Sequence, residues 1–506
     1  MNADEFRKAA HAAVDDLADY IENLSQRPVS AAIEPGGVST VLPAEPPQDG
    51  EAWSEIRKDI EGKIMPGITH WQSPNFMGFF PTAFSYPAVL GDLYSAALSS
   101  PAFTWYSSPA VTELEIVTLD WLRQTLHLPG CFSSHTAGGG VIQGSASEAT
   151  LTTMVAARQR ALRRACEGLV GLPKEEKATA LRSRLVALGS DQAHSGVEKA
   201  ALIVGVQYRS IATSVDNNFA VTGDAYQATI EQCRAEGLHP FHVTATLGTT
   251  GTCAIDDVAA ICEANRDSSP SEAVWVHVDA AWAGATLILD DHAHIAASCE
   301  QVDSFDMNMH KWLLVNFDCS CLFVRNKQDL TDALSNMPAY MRNKFTDSGA
   351  VTDYRDWQIP FGRRFRSLKL WFVMRSYGVR GMQAYIKRHL DLGDEFAGWI
   401  RQRSDLFQII TPPAFALIVF AVRPRESHSQ RAEQNTVTDK LREQNALTIA
   451  VYDMIIASGR LFVTKTVVAG IEVIRVVSGN YHTSEKALSD AFELIVTITE
   501  KCRSGP

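Results

Sequence analysis

Lys311 lies in NMHKWLLVNFDCSC, residues 308–321, a stretch that otherwise reads as a buried strand or loop. A buried ammonium is costly unless it is paired or gives up its proton. A lysine snorkelling from a strand edge would satisfy this segment taken alone. A lysine in an apolar pocket would instead be primed to form a Schiff base with a carbonyl. Three other stretches bear on the choice.

GGGVIQGSASEAT, residues 138–150, places a glycine-rich turn ahead of Ser145, Ala146 and Ser147 at the start of a helix. Free backbone N–H groups, hydroxyls and a helix dipole make a phosphate cradle there. A plain capped helix after a loop gives the same pattern. The stretch lacks the Gly-Lys-Ser/Thr ending of a P-loop and does not fit a dinucleotide fingerprint. AVWVHVDAAWAG, residues 273–284, puts Asp279 at a strand end, where a buried carboxylate needs a partner. A pyridinium nitrogen is one such partner, and the carboxylate keeps it protonated as an electron sink. A helix N-cap is the plainer use of the same residue. SDQAHSGVEKA follows the strand LVALGSD and presents His194, an imidazole suited to stacking on a flat ring or to a structural role. Cradle, histidine, strand-end aspartate and pocket lysine point together to a pyridoxal-phosphate site.

These residues need a frame. From about residue 110 to 325, helix-like segments such as TELEIVTLDWLRQTLHL alternate with short strands LVALGSD, FHVTATLG and AVWVHVDAA. That alternation indicates an α/β domain with a largely parallel sheet and functional residues at strand C-terminal ends. Between Asp279 and Lys311 there is chain for a helix and another strand, returning the lysine to the same sheet edge. Beyond about 370 a long helix leads to the strand AFALIVFAV, an antiparallel pair LFVTKTV and IEVIRVVSG, and a last helix from Ser484, an α+β domain. Before all this lies an amphipathic helix over about 4–25, with Phe6, Val14, Leu17 and Ile21 at helical spacing. A Pro/Gly-rich stretch after it reads as an extended connector. A lone amphipathic helix on such an arm suits packing on a second subunit.

A chain of 506 residues suggests two or three domains. The net charge of -12, without a dense Lys/Arg cluster, argues against a nucleic-acid partner. The longest apolar run, residues 414–422, is too short to cross a membrane, and the charged N-terminus is not a signal peptide. Nine cysteines without metal-ligand or disulfide spacing give no metal site and fit a reducing, cytoplasmic setting.

The chain closely resembles the aromatic L-amino acid decarboxylases. The resemblance covers nearly its whole length and is carried by HWQSPNFMGFFPT, SSPAVTELE, VIQGSASEAT, SDQAHSGVEKA, TATLGTTGT, HVDAAWAG, NMHKWLLVNFDCSC and YRDWQIPFGRRFRSLKLW. It implies a pyridoxal-phosphate type I fold and a homodimer with a shared active site. The expected segments are an N-terminal arm (1–85), a large α/β domain (86–370) and a small α+β domain (371–506). Carried over by position, Lys311 would hold the cofactor, Asp279 its ring nitrogen, and His194 would stack on the ring. Ala146, Ser147 and Asn308 would hold the phosphate, with Thr250 and Ala281 lining the cofactor. His310 matches a contact to the substrate carboxylate. Trp71, Phe79, Phe80, Pro81, Thr82 and Phe103 match the substrate pocket, Phe103 being expected from the partner subunit.

In the family, a loop tyrosine matching Tyr340 protonates Cα, and relatives with phenylalanine there form aldehydes. Aldehyde-forming insect relatives replace the stacking histidine by asparagine. Retention of Tyr340 and His194 implies an amine product, with an aromatic aldehyde synthase as the nearest rival and a silent binding relative as the more distant one. Gly362 matches a position where glycine goes with indoles and serine with phenols. Phe79 replaces a tyrosine of some animal relatives. Both lean toward L-tryptophan, with tyrosine, DOPA and phenylalanine as competitors. Met309 stands where the family usually has proline.

Overall fold

The computed structural model describes residues 1–31, 33–266, 269, 271–336, 343–425 and 437–504. The chain forms two compact units, Ala83–Arg388 and Met1–Thr82 with His389–Pro506.

The unit Ala83–Arg388 is built on seven strands: β1 (Gly139–Gln143), β2 (Leu185–Ser190), β3 (Gln207–Ile211), β4 (His239–Thr246), β5 (Trp275–Asp279), β6 (Ser304–Asn308) and β7 (Ser320–Val324). Their order is β1-β7-β6-β5-β4-β2-β3. Strands β3, β2, β4, β5 and β6 are mutually parallel, and β7 runs antiparallel to both β6 and β1. Helices cover both faces, as a sheet with almost wholly buried strands requires. The sheet is therefore mixed, with β7 inserted between the first strand and the parallel block.

Side chains alternate across a strand, so each face can be read from the register. One face of β4, β5 and β6 carries Val243, Ala245, Val276, Val278, Phe305 and Met307. The other carries His242, Thr244, Thr246, His277, Asp279, Ser304, Asp306 and Asn308, with Trp275 at its far end. All of these are buried. The helix Ala146–Ala165 lies against this polar face: Thr153 Oγ1 is 3.4 Å from His242 Nε2, and the Arg160 guanidinium sits 4.3 Å from the Trp275 ring centroid.

The other unit holds a four-stranded antiparallel sheet, β8 (Phe407–Ile409), β9 (Leu417–Val422), β10 (Thr464–Val468) and β11 (Ile471–Val477), ordered β10-β11-β9-β8. The β10–β11 hairpin closes through Ala469 (φ 50) and Gly470 (φ 81), the left-handed pair that a two-residue turn demands. Ile418, Phe420, Val422, Ile474 and Val476 share one core with Met77 and with helices Val437–Ala457 and Glu485–Ser504. The N-terminal helix Ala3–Glu22 starts with a reciprocal Asn2–Glu5 capping box. It leaves Phe6, Val14 and Leu17 more than half exposed. The connector after it is not wholly extended, since Gly37–Val41 forms a helical turn.

Candidate active site

Strand β1 runs antiparallel to β7, which runs antiparallel to β6, so β1 points the same way as the parallel block. The C-terminal ends of β1, β2, β4, β5 and β6 therefore share one edge, and each delivers a residue of the proposed site.

After β1, Ser145 caps the helix Ala146–Ala165 by accepting from Glu148 N at 3.2 Å, while the Glu148 carboxylate accepts from Gly144 N at 2.8 Å. The first-turn amides of Ala146 and Ser147 have no carbonyl of their own helix to reach. They suit an anion. A Cβ at Gly196 would fall 2.6 Å from Ser147 Oγ and 3.0 Å from His194 Nδ1, so this turn approaches the cradle closely.

After β2, His194 accepts from Gly196 N through Nδ1 at 3.0 Å, which puts the proton of the neutral ring on Nε2. Much of the residue is exposed, leaving the ring open to stacking. Partial desolvation lowers its pKa, Asp279 opposes this and Lys311 adds to it. After β4, Thr250 is exposed in the turn that follows.

Asp279 ends β5 and is 6 % exposed; its Oδ1 accepts from Ala281 N at 3.0 Å. The ends of β5 and β6 are laced together, Ala280 N donating to Asp306 O at 2.9 Å and Asn308 N to Ala281 O at 3.2 Å. The Asn308 side chain is buried, with Oδ1 lacking a hydrogen-bond partner. Lys311 sits not on a strand but in the single helical turn Met309–Trp312. Desolvation pulls its pKa down, against the fields of Asp279, Asp306 and Cys253. An amine that loses its proton readily is what a nucleophilic lysine requires.

His310 is 3 % exposed. Its Nδ1 accepts from Cys319 N at 2.8 Å and its carbonyl from Ala83 N at 2.7 Å. Burial first, and then Lys311, push its pKa down to about 3. The ring is neutral at working pH and offers an Nε2–H, so it is a hydrogen-bond donor rather than a cation. The cradle amides, the orphaned Asn308, the open His194 face, Asp279 and Lys311 form a donor and acceptor set that fits pyridoxal phosphate.

Phe103 and Gly362 are joined through their neighbours: the Phe103 and Phe361 rings lie 5.0 Å apart, and Arg363 N donates to Pro101 O at 2.8 Å. Arg363 is fixed by a buried bidentate pair with Glu115 (2.6 and 2.8 Å), whose Oε1 also accepts from Ile142 N on β1 at 2.8 Å. A Cβ at Gly362 would meet nothing within 4 Å. In the other unit, Trp71 and Phe79 stack at 5.7 Å, Arg475 stands over Phe80 at 5.4 Å, and Gln72 Nε2 donates to Thr82 O at 2.9 Å. Pro81 is buried between them in sequence. Tyr340 lies outside the described residues.

Sequence reading missed His277 and Asp306. The signal was present as polar residues two apart, His277 with Asp279 and Ser304 with Asp306 and Asn308, in strands otherwise apolar.

The conserved domain of pyridoxal-dependent decarboxylases matches residues 35–423. Aromatic-L-amino-acid decarboxylase of Mus musculus is 46% identical over 428 residues, 84% of this chain and 86% of that one. Phenylacetaldehyde synthase of a Rosa hybrid cultivar is 39% identical across 98% of this chain and 94% of its own. The crystal structure of Catharanthus roseus tryptophan decarboxylase in complex with L-tryptophan matches at a TM-score of 0.89 and 38% identity, covering 99% of each chain.

Proposed function

The chain belongs to the pyridoxal-dependent decarboxylase family, and from that premise we propose that it releases an arylalkylamine and carbon dioxide from aromatic L-amino acids, with L-tryptophan and related indoles preferred. Its cofactor is pyridoxal phosphate. The observation that carries the reading is the convergence of Lys311, Asp279, His194 and the Ala146–Ser147 cradle on one sheet edge.

When bound, pyridoxal phosphate supplies a ring that accepts the electrons of the bond cut at Cα. Lys311 would hold it through Nζ. Asp279 would serve the ring nitrogen and keep a proton there, and His194 would stack on the ring. The Ala146 and Ser147 amides and Asn308 would take the phosphate, with Thr250 and Ala281 lining the cofactor. Neutral His310 donates Nε2–H toward the substrate carboxylate without an added positive charge, so it orients this group but does not bind it as a salt bridge would. That difference favours departure of the carboxylate as uncharged carbon dioxide. By the family resemblance, Trp71, Phe79, Phe80, Pro81, Thr82 and the partner subunit's Phe103 are the residues proposed to receive the aromatic ring. Tyr340 returns a proton to Cα. Gly362, with open space where a Cβ would stand, leaves room for an indole.

Exposed apolar side chains support a homodimer: Phe6 and Leu17 on the N-terminal helix, and Leu90, Tyr94 and Leu98 on the helix Tyr86–Leu98, are each at least 47% exposed. Nine cysteines, none in a disulfide, support a cytoplasmic setting. Among the described residues no helix is long and apolar enough to cross a membrane. The test offers tryptophan, 5-hydroxytryptophan, tyrosine, DOPA and phenylalanine to the holoenzyme and scores amine, aldehyde and peroxide. Amine from the indoles foremost is expected. Aldehyde with peroxide would favour the synthase reading, which similarity to phenylacetaldehyde synthase keeps as the second candidate. A protein without a cofactor absorbance band would be a silent relative.

A further inference from the structure

Asp306 is the direct cross-strand neighbour of Asp279 on the polar face of the large sheet. Adjacent strands lie about 4.8 Å apart, so two carboxylates face each other at close quarters in the interior. Asp306 is 0 % exposed. Its Oδ1 stands 3.1 Å from Nε2 of His277, also 0 % exposed, and neither atom has another hydrogen-bond partner. His277 Nδ1 is 2.9 Å from Ser304 Oγ, which accepts from Trp275 Nε1 at 2.8 Å. With the serine proton directed to Nδ1, the ring must carry its own proton on Nε2 and present it to Asp306. Ser320 Oγ, 3.3 Å away on β7, donates to the second carboxylate oxygen.

A carboxylate sunk this deep, next to another, has no role in packing that a leucine would not fill better. Its surroundings are specific. Asp279 and Lys311 face it from the sheet edge, and His242 on β4 stands beside His277, the two histidine rings being 6.0 Å apart; Cys321 of β7, paired with Met307 on the other face, is close enough to feel its charge. Arg160 and Asp303, an ion pair, close the lane at the end of Trp275.

We propose that Asp306, oriented by His277, is a positioning residue that sets the charge beneath the cofactor: its carboxylate keeps the proton on the Lys311 nitrogen and reinforces Asp279 at the ring nitrogen. This inference rests on the reading of Asp279 and Lys311 as cofactor ligands. Burial and Asp279 raise the Asp306 pKa to about 6, with His277 and Lys311 pulling the other way. The group is thus ionised in neutral solution and loses its charge in mild acid.

The experiment is a pH titration of the visible absorbance of holoenzyme, together with cofactor dissociation and thermal unfolding, for wild type, Asp306→Asn, His277→Gln and Asp279→Asn. Asp306→Asn is isosteric and can still bond His277 and Ser320. Removing the negative charge should move the absorbance midpoint to lower pH, while the cofactor stays bound. His277→Gln takes away the group that holds Asp306 ionised, and should move the midpoint the same way. An unmoved or raised midpoint in folded Asp306→Asn overturns the proposal; should one variant fail to fold, the other decides. Asp279→Asn separates the two levels. If it binds cofactor and titrates like wild type, the underlying reading of Asp279 fails. If it is impaired while Asp306→Asn is unchanged, only the present inference fails.

Discussion

Strands β9 and β11 of the small sheet turn Ile418, Phe420, Val422, Ile474 and Val476 into a core shared with flanking helices. Strands β4, β5 and β6 of the large sheet turn His242, Thr244, His277, Ser304 and Asp306 into an interior just as deeply buried. The first arrangement is stabilised by apolar burial and tolerates any residues of suitable volume. The second carries desolvation costs that hydrogen bonds only partly offset. Polar burial on that scale is found directly beneath the edge where Asp279, His194 and Lys311 meet. The large sheet is organised to fix charges relative to a ligand, and the small one to hold its own unit together.

Five substitutions would break or sharpen this contrast. Lys311→Ala should reduce amine production to background while leaving the thermal transition in place; full activity would remove Lys311 from its role. Phe420→Ala, in the apolar sheet, should cost about 3–5 kcal/mol in denaturant unfolding without moving the absorbance midpoint of bound cofactor. A moved midpoint would mean that the two sheets are not functionally separate.

His310 gives a pH signature. Its folded pKa of about 3 lies below the ordinary 6.5, so the unfolded chain takes up the proton first. Its contribution is fully present above 6.5 and is lost as the pH falls toward 3. By pH 5 wild type should have lost about 2 kcal/mol that His310→Asn does not lose, as read from denaturation curves at the two pH values. Asp306 has the opposite sign. Its folded pKa of about 6 exceeds the ordinary 3.8, so the folded state binds the proton more tightly and stability falls as pH rises between these values. Asp306→Asn should therefore melt higher than wild type at pH 7, with the gain vanishing near pH 4. An equal difference at both pH values would leave only a packing effect. Gly362→Ser should be the mildest change, lowering the ratio of indole to phenol turnover by about tenfold with no loss of stability, because no protein atom stands within 4 Å of the new Cβ. An unchanged ratio would remove Gly362 from substrate selection.

Much of this frame was legible in the chain. LVALGSD, FHVTATLG and AVWVHVDAA form β2, β4 and β5, LFVTKTV and IEVIRVVSG form the antiparallel β10 and β11, and Lys311 returns to the sheet edge through β6. Local patterns sufficed because short apolar strands and capped helices signal themselves. The helical turn around Lys311 did not, since Met309–Trp312 is only four residues long, too short for a helical period to show. The polar face escaped for a related reason. Two histidines and an aspartate among valines read as isolated exceptions until the register of three strands aligns them. The Arg363–Glu115 pair joins residues far apart in the chain, and no local pattern announces such a partnership.

Strand β1 leads into the phosphate cradle, yet its neighbour in the sheet is β7, the last of the seven strands to be made. Parallel strands β2 to β6 can pair as they emerge, while residues 139–143 wait for residues 320–324. Long-range pairing of this kind is slow to form and late in synthesis. A nascent chain cut short before Ser320 would own a cradle sequence with no edge to dock on. Cofactor capture is therefore tied to completion of the large unit, so that a half-made chain has no assembled site in which to take up a reactive aldehyde.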